Sequence, residues 1–208
     1  MKVSNKYTFL RMILAPVWFA LFYIPELFKF KTGSVANIVF SVVLIAMLGF
    51  MEFTDFLDGY FARKKNEVSD FGKLFDPFAD VILHMTTFAT FTTFRFMDKS
   101  LCPLVIFILV FYREFSMNFL RMVAAKQGTA IAAKKGGKLK TVMYVVAGFF
   151  SLVIVSASRC GLVELWNLPV EVLRYVGYGI YAFCALLSYI SFIDYLISFK
   201  SVLKAVAE

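Results

Sequence analysis

The chain has 208 residues, of which 61% are hydrophobic and 17% charged, against about 45–50% and 25% in an average soluble domain. With a mean hydropathy of +0.77, these values exclude a disordered chain, a collagenous chain and an ordinary soluble globule. The net charge of +8 calls for no nucleic acid, because basic loops facing anionic lipid explain it.

Six apolar stretches lie near 6–28, 35–62, 74–96, 101–126, 138–158 and 173–198. Each is long enough for a membrane helix of roughly 20 residues. The expected architecture is therefore all-α: one integral membrane domain over 1–208 with six transmembrane helices. The first stretch is interrupted by Arg11 and Pro16, so its start is expected along the interface as an amphipathic turn. No small-residue cleavage site follows it, which favours a first membrane helix over a cleaved signal. The second and third stretches carry acids at their facing ends. The fourth contains Arg113, Glu114 and Arg121, and the fifth opens with the run AAKKGGKLKT. The sixth has small residues at Gly177, Gly179, Ala182 and Ala185, suited to helix packing or a dimer face. Cys102, Cys160 and Cys184 form no CxxC or CxxH pattern and read as packing residues.

Charge assigns the sides. With the N-terminus in the cytoplasm, 14 Lys and Arg fall in cytoplasmic segments and 6 on the opposite side. That bias places both termini inside. The alternative, five spans with one stretch only dipping in, would move the C-terminus across.

The most informative stretch is DFLDGYFARKKNEVSDFGKLFDPFAD, starting at Asp55. Asp55 and Asp58 are three apart and Asp76 and Asp80 four apart, so each pair shares a helix face. A short connection makes the two helices antiparallel neighbours, and four carboxylates can converge in one pocket. Such a cluster at the hydrocarbon boundary needs counter-charge. Oxygen-only ligands suit Mg²⁺ or Mn²⁺. Two such ions suit phosphoryl chemistry on a diphosphate, and a carboxylate at the edge can take a proton from an attacking hydroxyl. Gly59 lets a base or ribose approach the backbone, Ala62 keeps the same face open, Arg63 can neutralise phosphate, and Gly72 permits close helix contact. The plainer reading is that acids at a helix end face water and pair with nearby Lys.

Arg113 and Arg121 are eight apart and lie roughly on one face of the fourth stretch. Buried arginines in a membrane helix are costly and usually functional, although Arg113 could simply pair with Glu114 or a distant Asp. Lys134 and Lys135 read as a positive-inside loop. Lys138 and Lys140, beside Gly136 and Gly137, could face the carboxylate pocket and hold a second anionic substrate. His84, the one histidine, lies one turn past Asp80 and reads as a packed or hydrogen-bonded side chain.

The pattern Asp55-x2-Asp58-Gly59-x2-Ala62-Arg63-x8-Gly72-x3-Asp76-x3-Asp80 resembles the signature of the CDP-alcohol phosphotransferase family at all eight defining positions. The resemblance implies a six-helix membrane fold, usually a homodimer, with two Mg²⁺ or Mn²⁺ ions at the cytoplasmic face. By it, Asp55, Asp58, Asp76 and Asp80 are metal ligands, and Asp80 is also the general base. Gly59, Arg63 and Ser69 match positions that contact the CDP part of the donor, and Asn5 and Thr8 match an N-terminal turn that approaches the nucleotide. NKYTFLR, REFSMNFLR and GKLKT resemble the family's phosphatidylglycerophosphate synthases. That implies a bacterial cytoplasmic-membrane enzyme taking CDP-diacylglycerol and glycerol 3-phosphate, with Arg113, Arg121, Lys138 and Lys140 as candidates for the acceptor phosphate. One departure stands out: Val81 follows Asp80 where these synthases commonly carry Lys. Two readings compete. One is the same chemistry with inositol phosphate, serine or another alcohol. The other is a cation transporter, which would place its carboxylates nearer the midplane, with repeats or broken helices.

Overall fold

The structure is a computed structural model that describes residues 3–64, 70–126 and 135–200; the side chains of 3–5, 55–64, 70, 71, 73 and 135 lie outside that description. Among the described residues there are seven helices and no strand: α1 (Val3–Leu27), α2 (Val35–Lys64), α3 (Asp70–Thr93), α4 (Leu104–Lys126), α5 (Lys135–Arg159), α6 (Leu162–Leu165) and α7 (Val170–Ser198). The six long ones fall on the six apolar stretches, with ends shifted by a few residues.

Two features differ from expectation. The first helix runs unbroken from Val3 to Leu27 through Pro16 and Pro25, because Arg11 is buried against a carboxylate of α3 instead of turning out to water. The single turn of α6 follows Gly161, whose φ of +78° is a left-handed conformation that glycine adopts without steric cost.

Buried polar side chains sit within an apolar core, and the exterior is apolar as well. On α7 the buried residues are Arg174, Gly177, Tyr181, Cys184, Ser188, Ser191 and Tyr195, a stripe with alternating steps of three and four. Its exposed positions include Val172, Val176, Phe183, Leu186, Ile190, Ile193 and Ile197. On α4, Arg113 and Glu114 are buried, while Val105, Leu109, Tyr112, Phe119 and Met122 face out. Apolar residues outside and polar residues inside suit a lipid solvent, where packing and internal hydrogen bonds hold helices together. Four helical segments are long and apolar enough to cross a membrane: Lys6–Leu27, Val35–Thr54, Gly136–Arg159 and Val170–Ser198.

The helices position the polar residues at the two ends. α1 packs on α2 and α3, α5 on α2, α3 and α7, and α4 on α3 and α7. Helix α3 thus packs chiefly on α1, α4 and α5, and its threonines turn their hydroxyls back to carbonyls one turn earlier: Thr86 to Ile82, Thr90 to Thr86, Thr92 to Phe88 and Thr93 to Ala89, at 2.7–2.8 Å. A helix so satisfied can be polar in composition and still sit inside a bundle. The end where α1 finishes is tied by Arg159, which donates to Glu26 at 2.8 Å and to the carbonyl of Phe22 at 2.7 Å. There Arg174 pairs with Glu171 and donates to the carbonyl of Phe96 at 3.1 Å.

Candidate active site

The opposite end, where α1, α3 and α5 begin and α4 and α7 finish, holds the residues singled out above. Asp76 and Asp80 project from the first turns of α3 toward α1. Thr8 Oγ1 donates to Asp76 Oδ1 at 2.7 Å, and Arg11, its side chain 1% exposed, pairs with Asp80. Thr8 and Arg11 are themselves one turn apart, so a single face of α1 matches a single face of α3. The carboxylate of Asp80 retains 27% exposure, which leaves it reachable from the site. Asp55 and Asp58 belong to α2, but their side chains, with those of Gly59, Ala62 and Arg63, lie outside the described set, as do Ser69 and the side chain of Asn5. Gly72 is buried in the first turn of α3.

One turn deeper, α2 reaches α3 through Glu52, whose Oε1 is 3.7 Å from His84 Nδ1. His84 is buried and meets the ring of Tyr144 edge-on at 5.5 Å. Glu52 precedes Asp55 by three residues and His84 follows Asp80 by four, so this pair lies beneath the level of the aspartates.

The donor chemistry fits a hard divalent cation. The aspartates supply oxygen only, and the cysteines are free thiols bonded elsewhere: Cys102 to the Pro103 carbonyl, Cys160 to Ser41, Cys184 to the Met143 carbonyl. Among the described residues no three His, Cys, Asp or Glu side chains gather as a metal site.

The basic residues divide. Arg113 and Lys140 converge on one carboxylate, Glu114, at 2.8 and 2.7 Å. Arg113 also donates from Nε to the carbonyl of Ser188 at 2.9 Å. Lys138 is exposed. Arg121 is half-buried and its Nε has no hydrogen-bond partner among the described residues. It borders a groove of about 890 Å³ between α3, α4 and α7, otherwise lined mainly by side chains such as Phe75, Phe78, Phe119 and Phe192.

The sequence placed Arg11 in the cytoplasmic charge count and at an interfacial start of the first stretch, not in the site, yet it reaches Asp80. The usable signal was an arginine one turn after Thr8 inside an apolar run. Glu114 entered only as a partner for Arg113. That Lys140, Tyr144 and Ser188 also bond it depends on how α4, α5 and α7 pack.

A helical bundle with an apolar exterior and four segments long and apolar enough to cross a bilayer fits the class of integral membrane proteins. Residues 1–191 match the CDP-alcohol phosphatidyltransferase family. Similar proteins include the CDP-diacylglycerol–glycerol-3-phosphate 3-phosphatidyltransferase of Treponema pallidum, 38% identical over 209 residues, covering 99% of this chain and 93% of that protein. The enzyme of the same name from Bacillus subtilis is 32% identical over 178 residues, covering 83% and 81%. That from Aquifex aeolicus is 28% identical over 205 residues, covering 98% and 99%. The chain belongs to the CDP-alcohol phosphatidyltransferase family and is an enzyme that transfers phosphatidyl groups.

Proposed function

We propose that this protein transfers the phosphatidyl group of CDP-diacylglycerol to glycerol 3-phosphate, giving phosphatidylglycerophosphate and CMP. The observation that carries the choice of acceptor is the basic group. Arg113 and Lys140 share one carboxylate, which leaves one positive charge in excess, and the buried Nε of Arg121 has no partner among the described residues. A phosphorylated acceptor meets such a group and serine does not. The relatives named above act on glycerol 3-phosphate by name, which favours it over inositol phosphate.

In this reading Asp55, Asp58, Asp76 and Asp80 hold two Mg²⁺ or Mn²⁺ ions, which when bound supply positive charge to the diphosphate of the donor. Asp80 accepts the proton of the acceptor hydroxyl as its oxygen attacks the β-phosphorus. The bond from that phosphorus to the bridging oxygen breaks and CMP leaves. Thr8 and Arg11 hold Asp76 and Asp80 in orientation from α1. Asn5, Thr8, Gly59, Ala62, Arg63, Ser69 and Gly72 contact the CDP part, and Arg113, Arg121, Lys138 and Lys140 receive the acceptor phosphate. The whole chain works as one domain of six spans, as a homodimer among membrane lipids, with site and termini on the cytoplasmic side.

The test is CMP release by the purified protein in detergent from CDP-diacylglycerol with Mg²⁺ or Mn²⁺, offering glycerol 3-phosphate, inositol phosphate and serine in parallel. Release with glycerol 3-phosphate alone is the expected result. Release with serine would overturn the role given to the basic group.

A further inference from the structure

Glu114 is a buried carboxylate to which the transfer reaction assigns no task. Its Oε1 accepts from Arg113 Nη1 at 2.8 Å on α4, from Lys140 Nζ at 2.7 Å and Tyr144 OH at 2.9 Å on α5, and from Ser188 Oγ at 3.4 Å on α7. The side chains of Arg113, Glu114 and Lys140 are 2%, 3% and 11% exposed. Charge-assisted hydrogen bonds of this length offset the desolvation of a buried carboxylate. The bond from Arg113 Nε to the Ser188 carbonyl completes a link between α4 and α7. Lys140 lies over the ring of Tyr144 at 4.8 Å, and that ring meets His84 of α3, one turn past Asp80. The cluster is therefore connected to the helix that carries two of the aspartates.

We propose that Glu114 is a positioning residue for the acceptor phosphate: it draws Arg113 of α4 and Lys140 of α5 to one point so that both meet the same anion. The inference rests on the reading of the basic group given above. Without the carboxylate, two cations face each other across a buried space and repel, while Tyr144 and Ser188 lose an acceptor. Charge alone predicts the opposite sign, since deleting a negative group beside two cations would tighten phosphate binding. The direction of the change in KM separates the two.

The experiment measures KM for glycerol 3-phosphate and for CDP-diacylglycerol on the full chain in detergent with Mg²⁺. Glu114→Gln is expected to raise the KM for glycerol 3-phosphate by roughly tenfold while that for the donor stays within about twofold, the pattern of lost acceptor binding. Glu114→Asp is expected to recover part of the loss. An unchanged or lowered KM for glycerol 3-phosphate overturns the proposal, as does a parallel rise in both KM values with a lower thermal midpoint. Should Glu114→Gln not fold, Tyr144→Phe removes one donor with little change in volume and is expected to raise the same KM by about two- to threefold; no change there overturns it equally. Lys140→Met tells the two readings apart. If it raises that KM while Glu114→Gln does not, only the positioning role falls. If neither raises it, the acceptor reading falls as well.

Discussion

At the scale of single residues, the contact between Arg11 and Asp80 joins the first helix to the third at the level of the chemistry. A guanidinium buried to 1% exposure has few ways to be solvated, so it stays only where a carboxylate meets it. Replacing Arg11 with Met leaves Asp80 without that counter-charge. The expected loss of stability is below the roughly 3–5 kcal/mol of a fully buried pair, because Asp80 keeps 27% exposure. Thermal unfolding in detergent measures it, and activity should fall with it, since Asp80 loses its orientation. Asp80→Asn makes a sharper separation: helical circular dichroism and membrane insertion should be unchanged while CMP release disappears. Robust release by that variant would remove Asp80 as the base. The spacing of the aspartates was legible in the sequence because a local helix fixes it. The partner of Asp80 was not, because it lies 69 residues away in the chain and depends on two helices meeting in a particular register.

At the scale of elements, the six long helices were readable from runs of apolar residues, and their ends drifted where polar turns belong to the helix, as at the start of α5. What composition hides is which face looks inward. The small residues of α7 illustrate it. A Cβ on Gly177 would stand 3.3 Å from Phe150 Cε1, whereas one on Gly179 would meet nothing within 4 Å. Only the first is a packing glycine, although both read alike in the sequence. Gly177→Val is expected to cost about 1–3 kcal/mol by overpacking α5 against α7, while Gly179→Val leaves the detergent unfolding midpoint nearly where it was. Similar losses at both positions would mean that the outer face of α7 is covered by another surface, a second copy being the simplest candidate.

At the scale of the whole molecule, the open question is how α3 and α4 sit, since four segments satisfy a simple test of length and apolarity and these two do not. Each has 23 or 24 residues, about 35 Å at 1.5 Å per residue, enough for a hydrocarbon core of roughly 30 Å. Their polarity is directed inward. Helix α4 buries Arg113 and Glu114 behind an apolar outer face, and α3 is flanked by α1, α4 and α5, so that among its described side chains Phe78 is the one large hydrophobic that is exposed. A helix enclosed by protein needs no lipid-facing stripe. We propose six crossings, which would put both termini on the same side, whereas an odd count would separate them. Single cysteines in a Cys102→Ala, Cys160→Ser, Cys184→Ala background decide it. In intact cells a membrane-impermeant thiol reagent should label replacements of Lys31 and Lys99, both exposed between helices, and spare replacements of Lys138 and Lys200 until the membrane is opened. Labelling at 200 before permeabilisation, with 138 still protected, would mean that an odd number of crossings separates the N-terminus from the C-terminus, and that the basic group and the end of α7 cannot share one membrane face.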